Sequence, residues 1–184
     1  MKNLNYKPYP VCYTPMDSSL LGRIWIAARE SGVVFLDFSE SEAGFIAILS
    51  EYLENFKGEP QLRLDPTSLS PYLETLNAYF DHKTPIPGDF PLETACLTDF
   101  QCDVLKLVQA IPFGTVATYG DLADKLSNPN ASRAVGQVLR RNPLPIIIPC
   151  HRIVKAGGNI GGYGGILGSE RKVALLKHEG VILA

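Results

Sequence analysis

Pro145-Ile146-Ile147-Ile148-Pro149-Cys150-His151-Arg152-Ile153-Val154 is the stretch on which the reading of this chain turns. Three consecutive isoleucines are apolar and β-branched, so they predict a short buried strand, and Pro149 ends it because proline has no N–H for a ladder. A thiol and an imidazole then follow side by side at the edge of the buried run. The thiolate is the reactive form of cysteine, and a neighbouring histidine able to share its proton makes it available near neutral pH. A bare Cys-His pair is more often an inert buried thiol beside a histidine that satisfies a loop carbonyl. The surrounding residues decide between the two.

The chain has 184 residues, 46% hydrophobic and 20% charged. That is room for one large domain or two small ones, of ordinary globular composition. No apolar run approaches the roughly 20 residues that span a bilayer, and the start, Met1 to Pro8, lacks the apolar core of a secretory signal. Cys12, Cys96, Cys102 and Cys150 are scattered, without Cys-x-x-Cys spacing or a histidine pair at zinc-ligand distance. A reducing compartment, cytosol or nucleus, is the expected home.

The net charge of −2 conceals a division. Residues 1–97 hold 7 Lys and Arg against 13 Asp and Glu, whereas residues 98–184 hold 10 against 6. A net −6 half and a net +4 half could present one basic face to phosphates. Secondary-structure signals divide in the same way. Arg23–Ala28 and Val33–Phe38 read as strands around a Glu30-Ser31-Gly32 turn. Apolar residues at helical spacing predict helices within 42–56 and 68–80, with a possible short strand at 61–64. The Pro- and Gly-rich stretch Thr84–Pro91 reads as a linker, placing a boundary near 93–97.

The second half is denser. Phe100, Val104, Leu107, Val108 and Ile111 predict one helical face, ended by Pro112 and Gly114. Thr118 could cap a compact helix to Leu126, and Asn128-Pro129-Asn130 breaks it before another helix over 131–141. Two short helices joined by a tight polar turn make a helix-turn-helix candidate. Its second helix offers Ser132, Arg133, Ala134, Gly136, Arg140 and Arg141, basic side chains beside very small ones. An ordinary helical hairpin would read the same way.

Taken in order, Ile111-Pro112-Phe113-Gly114-Thr115-Val116-Ala117-Thr118-Tyr119-Gly120, Ser132-Arg133-Ala134-Val135-Gly136, Arg141-Asn142-Pro143 and Ile148-Pro149-Cys150-His151-Arg152 resemble the O6-alkylguanine-DNA alkyltransferase family. The resemblance runs from about Phe100 to Gly180, and the Leu20–Phe38 hairpin fits the family's N-terminal domain more loosely. It implies an α/β N-terminal domain over 1–95, a small antiparallel sheet with helices of ribonuclease H-like type. A mostly α C-terminal domain over 96–184 would carry the helix-turn-helix and the active-site cysteine loop.

The resemblance also implies a chemistry. Cys150 would take the alkyl group from O6 of guanine, with O4-alkylthymine as a second possible substrate, and keep it in a single turnover. His151 would act as base through water, and Glu179 would orient its imidazole, in the logic of a hydrolase triad. The target atom lies inside a base stack, so the nucleotide must be flipped out. Arg133 is implied to fill the space it leaves, with Ser132, Ala134, Gly136, Gln137 and Arg140 along the groove. Gln137 departs from relatives with a small residue there. Tyr119 matches the tyrosine that crowds the flipped phosphate and bonds guanine N3, and Asn142 ties the recognition helix to the active-site turn. Leu139, Ile153, Tyr163 and Gly164 would shape the pocket, with the glycine run 157–165 as its lid and a last helix over 169–177 delivering Glu179. The expected partner is double-stranded DNA carrying O6-alkylguanine, bound by a monomer without cofactor, metal or membrane; a zinc site is not expected, because Cys12 has Ala28 where a second cysteine would be needed.

Two other classes share some of these residues. A cysteine hydrolase using Cys150, His151 and Glu179 would leave Arg133, Tyr119 and Asn142 without a role. Damage sensors that resemble the family but do not react carry another residue, commonly tryptophan, at the position of Cys150.

Overall fold

The structure, a computed structural model, describes residues 7–164, 166–167 and 169–182, so the stretch 1–6 read for a signal and Gly165 of the lid lie outside the described residues. The chain divides into two compact units: residues up to Asn77 with Pro91–Cys96, and Ala78–Phe90 with Leu97 onward. The division is therefore not a single cut near residue 95. Val33 N–H donates to the Pro91 carbonyl at 2.9 Å and the Val33 carbonyl accepts from Glu93 N–H at 2.8 Å, holding 91–96 to the first unit's sheet. Tyr79 instead meets Phe113 and His178, with ring centroids 6.0 and 5.2 Å away.

In the first unit, β1 (Pro8–Ser18), β2 (Gly22–Arg29), β3 (Gly32–Asp37) and β4 (Glu59–Leu64) form one sheet in the order β3-β2-β1-β4. The β1-β2 and β2-β3 pairs are antiparallel, but β4 joins β1 in parallel, making the sheet mixed rather than wholly antiparallel. Helix α1 (Glu42–Leu53) supplies the crossover that a parallel neighbour requires. Its Phe45, Leu49 and Leu53, four residues apart, are buried, and Phe45 stacks on Trp25 at 5.2 Å. No sequence signal announced β1, because Pro8, Pro10 and Pro15 argue against a central strand. Each falls where β1 is paired on one side only, Pro8 and Pro10 with β4 and Pro15 with β2, so the missing N–H need cost no ladder bond.

Helix α2 (Ser70–His82) begins in the first unit and ends in the second. The second unit continues with α3 (Asp99–Gln109), where Thr98 and Gln101 form a capping box. Its buried face is Val104, Leu105 and Val108. Phe100, expected inside, is exposed, and Leu107 is half-buried. β5 (Ala117–Thr118) leads into α4 (Tyr119–Lys125), capped by Thr118 as expected. A 3-10 turn at Pro129–Ala131 then enters α5 (Ser132–Arg140), which buries Val135, Val138 and Leu139. Beyond the cysteine lie β6 (Ile153–Val154), the hairpin β7 (Gly162–Tyr163) and β8 (Ile166–Leu167), and α6 (Glu170–His178).

The three isoleucines do not form the expected strand. They are 1–3% exposed, but Ile146 sits at φ 74° in a turn, and a single bridge joins Pro145 to Ile148. Pro143, Pro145 and Pro149 remove too many donors for a ladder. The turn closes on itself instead, with Ile148 N–H on the Leu144 carbonyl at 2.8 Å. Burial was legible in the apolar run; extension was not.

Candidate active site

Two residues of strand pairing assemble the site. β5 and β6 run parallel, Ala117 opposite Ile153 and Thr118 opposite Val154. This sets Tyr119, the first residue of α4, beside the 3-10 turn Cys150–Arg152 that precedes β6. A cavity of about 180 Å³ opens there, lined by Tyr119, Gly136, Leu139, Arg140, Cys150, Gly162, Tyr163 and Gly164. Seven residues assigned to the site from sequence thus meet around one space, drawn from α4, α5, the cysteine turn and the β7 hairpin. Gly136 lies against Tyr119, where a Cβ would come within 3.8 Å of the ring.

Cys150 forms the cavity's inner wall and is 7% exposed. Asn142 Nδ2 donates to its Sγ at 3.2 Å and to the Ile148 carbonyl at 2.9 Å, while Asn142 Oδ1 accepts from Leu144 N–H at 3.0 Å. Burial raises the thiol pKa, and the Asn142 hydrogen bond and the charge of Lys172 only partly oppose it. At rest the sulfur carries its proton. The expectation that an adjacent histidine by itself frees a thiolate is not met, because among the described residues no hydrogen bond joins Sγ to His151; the imidazole points to Glu179.

Glu179 follows the end of α6, and its buried carboxylate gathers five donors. Oε1 receives Tyr79 Oη–H at 2.8 Å, Arg152 Nη2 at 2.9 Å and His151 Nε2 at 2.9 Å. Oε2 receives Arg152 Nε at 2.8 Å and the Gly114 N–H at 3.2 Å. Burial alone would raise its pKa, but the bonds from His151 and Arg152 override it and hold Glu179 ionised. An ionised carboxylate only accepts, so Nε2 of His151 must carry the proton. Burial, against the pull of Glu179, keeps the imidazole itself neutral. Nδ1 is then a bare acceptor, and it is buried with no hydrogen-bond partner among the described residues. Gly114, at φ 75°, reaches this carboxylate because it has no side chain: a Cβ would stand 3.0 Å from the Glu179 carbonyl.

Lys172 was not anticipated. Val173 was expected to face inward, but it is half-buried and Lys172 is wholly buried. Its Nζ donates to the Ile153 carbonyl and, at 3.3 Å, to the Gly162 carbonyl, joining the cysteine turn to the β7 hairpin. Burial lowers its pKa to about 8. Ile153 does not line the cavity and its carbonyl already serves the ammonium, although a carbonyl has a second lone pair for a ligand. Tyr119 and Tyr163 both have raised pKa values, chiefly through burial and then through Cys150, so both remain protonated.

On α5, Arg133, Ala134, Gln137, Arg140 and Arg141 are exposed, and Ser132 and Gly136 are half-buried. Of this row only Gly136 and Arg140 reach the cavity. Tyr79, Gly114, Arg152 and Lys172 were missed as site residues. Lys172 had a signal, since it lies three and four positions before the buried Leu175 and Leu176 and so on their helical face. Tyr79 had none, being 100 residues from Glu179.

Fold and site together define a helix-turn-helix protein built around a buried, hydrogen-bonded thiol on a cavity wall. Residues 11–94 match the 6-O-methylguanine DNA methyltransferase ribonuclease-like domain, and residues 99–181 the 6-O-methylguanine DNA methyltransferase DNA binding domain. The methylated-DNA–protein-cysteine methyltransferase of Shigella flexneri is 34% identical over 167 residues, covering 89% of this chain and 92% of that protein. The structure of Mycobacterium tuberculosis OGT in complex with DNA superposes with a TM-score of 0.72 at 35% identity, covering 92% of this chain and 93% of that one. The O6-methylguanine-DNA methyltransferase of the hyperthermophilic archaeon Pyrococcus kodakaraensis gives 0.70 at 26% identity, covering 93% and 99%. The chain belongs to the methylated-DNA–protein-cysteine methyltransferase family. Among the described residues no helix is long and apolar enough to cross a membrane.

Proposed function

We propose that this protein repairs double-stranded DNA by moving the alkyl group of O6-alkylguanine onto Cys150, once per molecule. Transfer from methylated DNA to a protein cysteine is the activity its family carries. The observation that carries the assignment is Cys150 itself, a buried thiol on the wall of a cavity, with a donor on its sulfur and a neutral imidazole beside it.

Through a bridging water, Cys150 gives its proton to Nδ1 of His151, and Glu179 stabilises the imidazolium that results. A sulfur lone pair forms the S–C bond to the alkyl carbon as the C–O6 bond breaks, and that bond's electron pair passes into the purine. The Tyr119 hydroxyl, kept protonated by burial until then, gives its proton to N3 so that guanine leaves as a neutral base, and the phenolate regains a proton through water from the His151 imidazolium. The thioether is not hydrolysed, so no second step restores the thiol. Because the resting thiol pKa is raised, forming the thiolate costs about 1.4 kcal/mol for each unit by which it exceeds the ambient pH. The reaction therefore waits for a base to fill the cavity.

Extrusion of a nucleotide costs a few kcal/mol. Arg133 fills the vacated space, and Ser132, Ala134, Gly136, Gln137 and Arg140 line the groove-facing side of α5. Leu139, Tyr163 and Gly164 hold the base, and Asn142 couples α5 to the cysteine turn. Every group of this machinery lies in the second unit of one chain, which supports a monomer; four scattered cysteines without paired spacing support a cytosolic or nuclear home. Cys150→Ser tests the reading: methyl transfer is lost while duplex binding stays within about threefold of wild type. Transfer that survives would mean that another cysteine is the acceptor.

A further inference from the structure

The mechanism uses one oxygen of Glu179 to hold His151, yet that oxygen is shared. Oε1 accepts from His151 Nε2 at 2.9 Å, Arg152 Nη2 at 2.9 Å and the Tyr79 hydroxyl at 2.8 Å. Tyr79 is fully buried. It comes from α2, far from every motif of the site, and no step of the transfer needs it as an acid or base. Burial and the adjacent carboxylate raise its pKa, so the phenol keeps its proton and can only donate to Glu179.

We infer that Tyr79 is a positioning residue that sets the basicity of His151 through Glu179. The inference rests on the proposed role of His151 as proton acceptor and concerns how that acceptor is kept ready. A carboxylate oxygen bonded by three donors has its negative charge divided among them, so each donor leaves it a weaker acceptor for the others. If Oε1 served His151 alone, the buried carboxylate would hold an imidazolium strongly, since an adjacent opposite charge favours the charged form. A histidine that is already protonated cannot take the proton of Cys150. The Tyr79 hydroxyl draws off part of the charge without adding a net charge of its own, which a second cation could not do.

The other groups facing His151 do not duplicate this effect. Cys150 and Arg152 flank it on its own turn, Lys172 and Glu179 face it from α6 and its end, and Tyr163 of β7 meets its ring edge-on at 6.4 Å. Arg152 and Lys172 act on the imidazole as cations, disfavouring its protonation directly. Tyr79 acts only through the shared oxygen. The His178 ring lies tilted against the Tyr79 ring at 5.2 Å and bonds the Tyr79 backbone carbonyl at 2.8 Å, fixing the ring without touching the hydroxyl.

The test is the pH dependence of single-turnover methyl transfer from an O6-methylguanine duplex, read with the ¹⁵N shifts of His151. In the wild type, the rate falls in acid as His151 protonates, and at neutral pH the ring shows a protonated Nε2 and a bare Nδ1. Tyr79→Phe removes only the hydroxyl. Its acid limb and its His151 titration both move to higher pH, by about one unit, while the plateau rate at high pH stays within about threefold. Replacing Tyr79 with 3-fluorotyrosine, a stronger donor, moves both the opposite way and covers the case in which Tyr79→Phe folds poorly. A uniform loss of rate with an unmoved acid limb, or a fluorotyrosine shift to higher pH, overturns the inference and makes Tyr79 a packing residue. A wild-type profile with no acid limb and no His151 titration overturns the base assignment too, so the two failures are told apart.

Discussion

Asn142→Ala probes the joint between α5 and the cysteine turn. Asn142 is the acceptor for the Leu144 N–H at 3.0 Å, and Leu144 is fully buried. Orphaning that N–H costs about 1–3 kcal/mol, and the lost second bond to the Ile148 carbonyl about 0.5–1.5 more. The Ile148 carbonyl keeps the Cys150 N–H at 2.7 Å, so it is not orphaned. The turn also holds Ile146 at φ 74°, a conformation a β-branched residue adopts only under constraint. A loss of about 1.5–4.5 kcal/mol from the second unit follows. The same side chain lowers the thiol pKa, and losing one unit of that support means about tenfold less thiolate and a transfer slower by at least as much. Asn142→Asp separates the two effects. It keeps an acceptor for Leu144 but sets a negative charge where a donor stood 3.2 Å from sulfur, so it is more stable than Asn142→Ala and slower still in transfer. Tryptophan fluorescence cannot read this, because the single tryptophan, Trp25, lies in the first unit. Urea unfolding followed by amide exchange across 142–154, with single-turnover kinetics, does. A cost under about 0.5 kcal/mol for Asn142→Ala, or an Asn142→Asp protein as fast as wild type, refutes the reasoning.

Arg133→Ala slows repair of duplex DNA at least tenfold more than reaction with free O6-alkylguanine, which needs no flipping; equal losses on both substrates would move Arg133 from the stack to the fold. The shift of Lys172 from 10.5 to about 8 means its buried charge costs about 3 kcal/mol at neutral pH. Lys172→Met is therefore no less stable than wild type at pH 7 although two carbonyls lose a donor, yet it transfers more slowly because the thiolate loses a facing cation; destabilisation beyond about 2 kcal/mol would show that the ammonium is a net stabiliser. In acid, the folded pKa of His151 lies below 6.5 and that of Glu179 below 4.5, so in both intervals the unfolded chain binds more protons. The stability each group contributes is complete above those values and is lost as pH falls toward the folded ones. Melting temperature thus declines from about pH 6.5 downward, steepening below 4.5, and a flat profile between pH 7 and 4 would contradict the network.

The parts of the structure legible in the sequence were those set by local chemistry. Thr118 capped α4, the spacing of Phe45, Leu49 and Leu53 marked α1, and the Cys150-His151 pair marked the turn that meets the cavity. The run of isoleucines announced burial correctly but extension wrongly, because the prolines among them decide the backbone. β1 was hidden by its own prolines, whose cost depends on which side of a strand has a neighbour. The antiparallel hairpin was readable from its short turn, and a strand at 61–64 was read as possible, but its parallel pairing with β1 was not, since no local residue encodes a long-range pairing. In the site, the residues around the cavity were named from an ordered set of motifs. The carboxylate's further donors were not, because Tyr79 and Arg152 gain their meaning only where the chain has folded them onto Glu179. Lys172 shows how a charged residue on an apolar helical stripe is passed over when only apolar residues are counted.

The central claim is that one thiol accepts the alkyl group and is spent. Incubating the protein with an excess of duplex carrying O6-methylguanine, then mapping its peptides by mass spectrometry, reads this directly. The account predicts one added methyl per molecule, confined to the peptide bearing Cys150, with restored guanine equal in amount to the protein and no further reaction. Methyl on Cys12, Cys96 or Cys102, or guanine released beyond one equivalent, would contradict it.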